Sequence, residues 1–265
     1  MFDYGKTYGK ISLKDFPQLG LSSYGMEKYG CLVQLYFKLF GYPDVASHVK
    51  YRFVTRMLKL KQKDKLLDAG CGIGIYIHDY SVKYGLNGCG VDIDRSRIAI
   101  AKKVNQFLKQ NNLFKVSRLE KLNLGRKKFD KIICVDVLEH IKDDALAIKN
   151  VGQYLKPGGM MLVTVPISPL KINYSQKPKE KYGHVRKGYS YNELTAIAKS
   201  AGFTKIKITT YYRSFSYYVV HVQQFLYRKT PFYVNVFFSP ILTLITLLDD
   251  FIKTKAREYV LIVRK

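Results

Sequence analysis

The sequence predicts an α/β protein whose mostly parallel sheet is covered by helices on both faces. Three observations lead to this prediction. Short apolar segments alternate with segments of helical periodicity from residue 65 to residue 210, glycines follow the first apolar segment, and hydrophobic residues make up 47% of the 265 residues. Strands that alternate with helices favour a parallel sheet, and the apolar fraction is large enough to form its core.

The first sixty residues are predicted to be helical. Tyr24 to Phe40 is apolar, Gly41-Tyr42-Pro43 interrupts the pattern, and Asp44 can cap a second helix that ends near Leu58. We interpret residues 1–60 as a helical amino-terminal lid. The first residues show no apolar segment typical of a signal peptide, so the sequence predicts a protein without one.

Residues 61–210 supply the alternating elements of the predicted core. The predicted strands are Lys65–Ala69, Gly88–Asp92, Lys115–Arg118, Asp130–Val135, Met160–Val165 and Lys205–Thr210. The predicted helices are Ile75–Tyr84, Ser96–Lys109, Asp143–Leu155 and Tyr191–Ser200. Pro157-Gly158-Gly159 ends the third of these helices, and Gly202 ends the fourth. Residues 211–257 are then an aromatic and basic helical cap inserted before residues 258–265, which form the final core strand.

Glycines at positions 70, 72 and 74 lie where the first strand gives way to a helix. Glycine lets the backbone turn sharply and approach a ligand that a Cβ atom would exclude. Ligands of parallel α/β sheets bind at such turns, outside the carboxyl ends of the strands. The pattern also fits an ordinary tight turn or a dinucleotide site, but the third glycine of a dinucleotide fingerprint would stand at position 75, which is Ile75.

Two carboxylates accompany these glycines. Asp68 ends the first strand facing the loop, where it would repel a pyrophosphate but suits a ligand with an ammonium or sulfonium group. Asp92 ends the second strand, at a position where a carboxylate accepts both hydroxyls of a ribose. Ile93 follows it and can lie against the face of an adenine. The alternative for Asp92 is a solvated acid at a strand end.

Four segments stand in an order that is specific in combination: Leu66–Gly74, Gly90–Asp94, Phe129–Ile141 and Leu155–Gly159. They resemble motif I, the second-strand acidic motif, the fourth strand with its loop, and the turn before the fifth strand of class I S-adenosylmethionine-dependent methyltransferases. Within that superfamily they are most similar to the ubiquinone and menaquinone methyltransferases. The resemblance implies a Rossmann-like fold with a seven-stranded sheet and S-adenosyl-L-methionine as the cofactor.

The resemblance also implies which residues bind that cofactor. Asp68 and the glycines would hold its methionine part, Asp92 its ribose, and residues near Leu119 its adenine. The implied cofactor-binding residues are Asp68, Ala69, Gly70, Cys71, Gly72, Gly74, Asp92, Ile93, Leu119 and Val135. Relatives often carry an acid that contacts the adenine amino group, and here Arg118 stands at that position. Glu120 or a backbone carbonyl would then replace that contact.

Methyl transfer from a sulfonium is an in-line displacement, so it depends mostly on aligning the reactants and excluding water. An oxygen nucleophile also benefits from a base, commonly histidine. His140, beside Glu139 after the fourth strand, is a candidate base or substrate-orienting group, with a structural role in its loop as the alternative. His184 precedes the helix at Tyr191 and is a second candidate. We expect no metal site, because Glu139 alone supplies too few oxygen ligands.

The chain carries a net charge of +25. Such a field attracts polyanions, either nucleic acid or an anionic membrane leaflet, although a lysine-rich genome would produce the same bias. The carboxyl-terminal part combines this charge with aromatic residues. Residues 170–265 hold 17 Lys or Arg against 5 Asp or Glu, and residues 211–238 contain 11 aromatic residues.

Three interpretations of this basic, aromatic segment stay open. It caps the substrate pocket, lies on an anionic membrane, or binds nucleic acid. The sequence disfavours nucleic acid, because no Asn/Asp-Pro-Pro-Tyr motif follows Asp136 and no appended RNA-binding module is visible. Phe232–Leu248 is largely apolar but is interrupted by Asn235, Ser239 and Pro240, which disfavours a membrane-spanning helix.

These patterns predict S-adenosylmethionine-dependent methyl transfer to a small-molecule or lipid-like acceptor, with oxygen favoured as the acceptor atom, at or near an anionic membrane surface. Cys31, Cys71, Cys89 and Cys134 form no CxxC pair, which favours a reducing compartment. We therefore predict a cytoplasmic protein, peripheral on the inner face of the membrane. An RNA methyltransferase is the first alternative, and an NAD-binding or non-catalytic protein on the same fold is the second.

Overall fold

A computed structural model describes residues 44–168, 185–230, 232–252 and 254–265. The helices are α1 (Val45–Leu58), α2 (Ile75–Tyr84), α3 (Arg95–Phe107), α4 (Asp144–Gly152), α5 (Tyr191–Ser200), α6 (Ser214–Lys229), α7 (Phe232–Ile245) and α8 (Leu248–Phe251). The strands are β1 (Leu66–Ala69), β2 (Cys89–Asp92), β3 (Leu113–Val116), β4 (Phe129–Val135), β5 (Leu155–Pro166), β6 (Lys205–Tyr211) and β7 (Glu258–Arg264). The predicted helix Tyr24–Phe40 and His184 lie outside the described residues.

The strands form one seven-stranded sheet in the order β3-β2-β1-β4-β5-β7-β6. The pairs from β3 through to β5 are parallel, and β7 runs antiparallel to both β5 and β6. The predicted mostly parallel α/β fold is therefore confirmed. In this order β1 lies between β2 and β4, and because the three strands are parallel their carboxyl ends meet at one edge of the sheet.

The central strands form because their side chains are apolar and can be covered on both faces. All four residues of β1 and of β2 are buried. Leu66, Val91 and Ile132 are fully inaccessible to solvent. Strands buried on both faces lack the alternation of a half-exposed strand and appear as continuous apolar runs. This is why Lys65–Ala69 could be assigned as a strand from sequence.

Several predicted boundaries are wrong, including the start of the strand predicted over Met160–Val165, which begins at Leu155. The helix predicted over Asp143–Leu155 ends at Gly152, because Leu155 pairs with Phe129 and opens β5. Tyr154 lies between the end of this helix and the start of β5. Its hydroxyl accepts a hydrogen bond from the Leu124 N–H (2.9 Å), which holds the turn in place. The third strand spans Leu113–Val116 instead of Lys115–Arg118, because Leu113 pairs with Cys89 of β2.

The chain divides into two compact units. One contains the sheet and most of its helices, and its described residues are 58–102, 110–168, 185–211 and 256–265. The described part of the other consists of residues 44–57, 103–109 and 212–255, which form α1, the end of α3, and α6 to α8. As predicted, Asp44 caps α1 by accepting a hydrogen bond from the Ser47 N–H (2.8 Å). Among the described residues, no helix is long and apolar enough to cross a membrane.

Candidate functional site

The loop between β1 and α2 is a tight turn that is fixed to the neighbouring strand. The N–H groups of Gly70 and Cys71 both donate to the carbonyl oxygen of Val91, at 2.7 and 2.9 Å. Gly70 and Gly74 have φ angles of +89° and +81°. These values lie in the left-handed region, which residues with a Cβ atom adopt at a cost. The predicted glycine loop therefore forms at the carboxyl end of β1.

Gly70 also lies in close contact with the loop after β4. A Cβ atom built on Gly70 would stand 2.2 Å from Cγ2 of Val137. A Cβ atom built on Gly74 would stand 2.6 Å from the ring of Phe114. Both positions require glycine for space as well as for backbone conformation. The loop and the segment after β4 consequently form two adjacent walls of one site.

Asp92 connects the second strand to the glycine loop. One of its carboxylate oxygens accepts a hydrogen bond from the Gly72 N–H (2.8 Å), and the other accepts from the Asp94 N–H (2.9 Å). Each carboxylate oxygen has two lone pairs, so both retain capacity for a further donor. Asp92 is mostly buried but still lines the cavity described below. It can therefore hold the loop and accept hydroxyl groups of a ligand.

Asp68 is a buried acid at the end of β1. Its side chain is only 1% exposed, and its Oδ2 atom has no hydrogen-bond partner among the described residues. Burial, together with the nearby charge of Asp92, raises the pKa of Asp68 from its ordinary value of 3.8 to about 8. A cation bound next to this carboxyl group would favour its ionised form. Within the part of the chain that the structure describes, Asp68 is thus an acid without a counter-charge.

A cavity of about 690 Å³ opens at the carboxyl ends of β1, β2 and β4. Its lining belongs entirely to the unit that contains the sheet. The residues that line it are Gly70, Asp92, Ile93, Asp94, Arg97, Ser117, Arg118, Leu119, Glu120, Val135, Asp136, Val137, His140 and Ile141. The volume lies in the range that small-molecule ligands and cofactors occupy.

The structure brings six of the sequence-predicted site residues together in this cavity. They are Gly70, Asp92, Ile93, Leu119, Val135 and His140. The other predicted cofactor-binding residues do not line it, and they form the end of β1 and the turn that positions Gly70. These are Asp68, Ala69, Cys71, Gly72 and Gly74. The position of His184, the second predicted catalytic residue, falls outside the described residues.

The side of the cavity next to β2 and β3 combines apolar and charged groups. Ile93 is 60% exposed at the end of β2, where a planar ring could cover it. Arg118, which stands where relatives carry the adenine-contacting acid, forms an ion pair of 2.8 Å with Glu120, the residue expected to replace that acid. Both residues line the cavity, so both can still contact a ligand there. The pair presents a donor and an acceptor to the same region.

Asp136 is a cavity residue that was not among the sequence-predicted site residues. Its φ angle is +54°, an unusual value for a residue other than glycine. Thr164 of β5 stabilises this conformation, because its hydroxyl donates to the Asp136 carboxylate (2.9 Å) and also accepts from the Asp136 N–H (3.1 Å). Strained backbone of this kind concentrates at functional sites. The position after β4 was its only signal in the sequence, and the bond to Thr164 was not predictable.

His140 is exposed at the mouth of the cavity, on a 3₁₀ turn formed by Leu138–His140. Its backbone N–H donates to the carbonyl oxygen of Val137 (3.0 Å), which closes the turn. The carbonyl oxygen of the preceding residue, Glu139, accepts a hydrogen bond from the Val185 N–H (2.8 Å). The turn that carries His140 is therefore tied to the segment before α5.

An ion pair and an aromatic contact secure that segment. Arg186 lies 3.2 Å from the carboxylate of Asp144 at the start of α4, and it stacks over the ring of Tyr189 at 4.4 Å. The Tyr189 hydroxyl donates to the same carboxylate (2.9 Å). These contacts fix the segment to which the turn carrying His140 is bonded.

Comparison with known proteins gives consistent results. A family model described as a methyltransferase domain matches residues 44–208. The ubiquinone biosynthesis O-methyltransferase of Coxiella burnetii is 29% identical over 173 residues, which cover 61% of this chain and 72% of that protein. Phosphoethanolamine N-methyltransferase 1 of Zea mays is 28% identical over 174 residues, which cover 63% of this chain but only 33% of the maize protein.

Solved structures share the fold at lower identity. Phosphoethanolamine N-methyltransferase 2 of Haemonchus contortus, in complex with S-adenosyl-L-methionine, superposes with a TM-score of 0.63 at 17% identity. That match covers 100% of this chain and 60% of the worm protein. An S-adenosylmethionine-dependent methyltransferase of Mesorhizobium loti superposes with a TM-score of 0.58 at 16% identity, over 83% of this chain and 100% of that protein.

Proposed function

The chain belongs to the class I S-adenosylmethionine-dependent methyltransferases, and from that premise we propose that it methylates an oxygen atom of a small or lipid-like acceptor at or near an anionic membrane surface. One observation carries the proposal. A cavity at the carboxyl ends of β1, β2 and β4 brings Gly70, Asp92 and His140 to a single space. Such a space can hold a cofactor and an acceptor side by side.

The residues present fit S-adenosylmethionine, whose sulfonium supplies an electrophilic methyl group when the cofactor is bound. A Cβ atom at Gly70 would overlap the Val137 side chain, so glycine lets the loop and the segment after β4 pack together at the site. Asp92 has lone pairs free for the ribose hydroxyls, and Ile93 offers an apolar surface to the adenine. The buried, unmatched carboxyl group of Asp68 favours the positively charged methionine part. These are the residues that would hold the cofactor.

A pH dependence of cofactor binding follows from Asp68. Its pKa of about 8 leaves the carboxyl group mostly protonated at pH 6. Because a cationic ligand favours the carboxylate, we expect S-adenosylmethionine to bind up to roughly tenfold more tightly per pH unit as the pH rises from 6 to 8. Calorimetry in two buffers of different ionisation enthalpy should show a proton released on binding.

Asp68→Asn is the control for this prediction, because it removes the titrating group but keeps the shape. The affinity of this variant for S-adenosylmethionine, measured over the same pH range, reports the titration of the cofactor alone. The difference between the two pH series gives the contribution of Asp68 to binding. The raised pKa also makes folding stability depend on pH. The contribution of Asp68 to the free energy of unfolding is largest below pH 4 and is lost as the pH rises through about 8. The variant should therefore melt at a higher temperature than the parent at pH 8. Identical pH series for the two proteins would contradict the assignment.

His140 is proposed as a base or substrate-orienting group for the acceptor. It is exposed at the cavity mouth, and the turn that carries it is held by the Val185 N–H. We expect His140→Ala to lower kcat by roughly 10²-fold while leaving the affinity for S-adenosylhomocysteine within about twofold. The measurements are steady-state turnover with an acceptor and calorimetry with S-adenosylhomocysteine. An equal loss in both would assign His140 a structural role in its loop.

The finer parts of the proposal rest on separate observations. Oxygen is favoured as the acceptor atom because the Coxiella burnetii relative is an O-methyltransferase with 72% of its length covered. The maize relative, an N-methyltransferase, has only 33% of its length covered. The location near a membrane is supported by the net charge of +25 and by the aromatic, basic segment after β6.

Two experiments test the proposal. Calorimetry with S-adenosylhomocysteine and with NADH should show binding of the first only, and a preference for NADH would refute a methyltransferase site. Untargeted metabolite comparison of deletion and parent cells should reveal an accumulated acceptor that lacks one methyl group. If the accumulated species is an undermethylated RNA, the alternative of an RNA methyltransferase replaces the proposal.

A further inference from the structure

The exposed side of helix α7 carries large apolar side chains. Phe237 is 71% exposed, Ile241 51% and Leu244 64%. Their spacing of four and three residues places them on one side of the helix. Ser239 and Thr246 are buried instead, at 1% and 0% exposure. A helix on the surface of a soluble domain normally has the opposite arrangement, with its apolar side towards the core.

Helix α6 buries Val219 and Val220 but also exposes large apolar side chains. Tyr218, Val222 and Phe225 are exposed, again at a spacing of four and three residues. Ser216 and Gln223 are buried, and the side-chain oxygen of Gln223 accepts a hydrogen bond from the Val45 N–H (2.9 Å). Buried polar groups of α6 and α7 thus point towards the protein, although the Ser216 hydroxyl oxygen has no hydrogen-bond partner among the described residues. Tyr218, Val222 and Phe225 remain in water.

The apolar surface continues beyond α7 into α8. Phe251, at its end, is 81% exposed, and Leu248 is 40% exposed. We call Phe237, Ile241, Leu244, Leu248 and Phe251 the outward face. Contiguous apolar surface of this kind on a folded unit marks a place where a partner or a membrane is bound.

The charges around the outward face are positive. Arg228 and Lys229 end α6 immediately before α7, Lys255 follows α8, and all three are exposed. The two acids of α8 are engaged within the protein. The Asp249 carboxylate accepts the N–H groups of Phe215 and Ser216 at the start of α6 (3.0 and 2.9 Å), and Asp250 forms an ion pair with Arg56 (3.3 Å).

We propose that the outward face inserts into the interfacial layer of an anionic lipid bilayer, with Phe237, Leu244 and Phe251 among the acyl chains. Arg228, Lys229 and Lys255 would then contact the phosphates of the headgroups. Interfacial helices combine these two features, namely an apolar side that enters the lipid and cations that bind anionic headgroups. Charge complementarity favours this partner over another protein surface. The inference rests on the part of the proposed function that places the acceptor near a membrane.

Flotation of the full chain with lipid vesicles tests the inference. We expect binding to vesicles of phosphatidylcholine with about 30% phosphatidylglycerol, and at least roughly tenfold weaker binding to phosphatidylcholine alone. The double variant Phe237→Gln/Leu244→Gln should bind the anionic vesicles at least roughly tenfold more weakly than the parent. The double variant Arg228→Gln/Lys229→Gln should lose roughly tenfold in affinity and most of its salt dependence.

A matched control replaces exposed apolar residues outside this unit. Val82 and Leu146 are 53% and 39% exposed, and Val82→Gln/Leu146→Gln should bind vesicles like the parent. Circular dichroism checks that every variant is folded, and calorimetry with S-adenosylhomocysteine checks the cofactor site. If the cofactor binds but no protein binds vesicles, the membrane inference fails and the proposed methyl transfer stands. If vesicles are bound but S-adenosylhomocysteine is not, the proposed function fails separately.

Other occupants of the outward face give different results. A stable dimer of the full chain in light scattering, dissociated by Phe237→Gln/Leu244→Gln, would assign the face to a second copy and overturn the inference. Binding to RNA that is lost with the same variant, without binding to vesicles, would also overturn it. Equal binding of neutral and anionic vesicles would contradict the role given to Arg228, Lys229 and Lys255.

Discussion

Replacing Gly70 with alanine is expected to reduce binding of S-adenosylhomocysteine by roughly 10²- to 10³-fold. Two costs combine at this position. The φ angle of +89° is unfavourable for alanine by about 1–2 kcal/mol, and the new Cβ atom would lie 2.2 Å from Cγ2 of Val137. Relief of such an overlap by movement typically costs about 1–3 kcal/mol. The loop or the segment after β4 must then move, and both form the cavity.

Gly125→Ala is the matched control for this variant. Gly125 also has a positive φ angle, +62°, but no atom of the described structure lies within 4 Å of a Cβ atom built there. It does not line the cavity. We expect a lower melting temperature for both variants and a loss of cofactor affinity for Gly70→Ala alone. Calorimetry and thermal unfolding measure the two effects, and equal affinity of the two variants would show that the glycine loop does not contact the cofactor.

Asp92→Ala is expected to weaken S-adenosylhomocysteine binding by roughly 10²- to 10⁴-fold. Hydrogen bonds to a charged acceptor contribute about 1.5–3 kcal/mol each, and a ribose offers two hydroxyl donors. The variant also removes the acceptor of the Gly72 and Asp94 N–H groups, so part of the loss arises from a less ordered loop. We expect Asp92→Asn, which keeps one carbonyl acceptor, to bind with intermediate affinity in calorimetry.

Asp130→Ala controls for the loss of a structural carboxylate. Asp130, at the start of β4, accepts a hydrogen bond from the Lys65 N–H (2.8 Å) and forms an ion pair with Lys156 (2.8 Å). It lies outside the lining of the cavity. Its replacement should lower the melting temperature but leave cofactor affinity unchanged. If Asp92→Ala also changed only the melting temperature, the ribose would have to be bound elsewhere.

The elements most accurately predicted from sequence are those whose limits are set locally. Helix α2 spans Ile75–Tyr84, as predicted, because Gly74 and Gly85 flank it in the left-handed conformation. Helix α5 spans Tyr191–Ser200, as predicted, because Ser190 and Glu193 form reciprocal hydrogen bonds at its start. In both cases the residues that end the helix act through their own backbone or through a side chain within the first turn.

Boundaries that depend on distant pairing were not predictable. Pro157-Gly158-Gly159 was expected to end a helix, yet these residues belong to β5. Pairing with β4 decides this assignment. Helix α7 runs through Pro240, which was interpreted as an interruption. Proline destabilises a helix through its ring and its missing N–H group. At Pro240 the packing of α7 on α6 outweighs that cost.

The residues of the candidate site were likewise predictable where the local sequence determines their position, and not where a distant contact does. Gly70, Asp92, Ile93 and Val135 end or directly follow strands whose carboxyl ends meet in any sheet of this order, so strand prediction was sufficient to bring them together. Asp136 required knowledge of the Thr164 hydroxyl on β5, which determines its backbone conformation. Arg97, near the start of α3, and Ile141, after the 3₁₀ turn, also line the cavity and were not among the predicted site residues.

The antiparallel pairing of β6 with β7 has a consequence for the origin of the chain's second unit. Tyr211, the last residue of β6, stands opposite Glu258, the first residue of β7. The polypeptide that departs at one of these positions returns at the other, one strand spacing away. Residues 212–257 are thus, in topological terms, the connection of a hairpin. A two-residue turn could join the same strand ends, so the segment can be gained, exchanged or deleted in evolution without altering the order of the sheet.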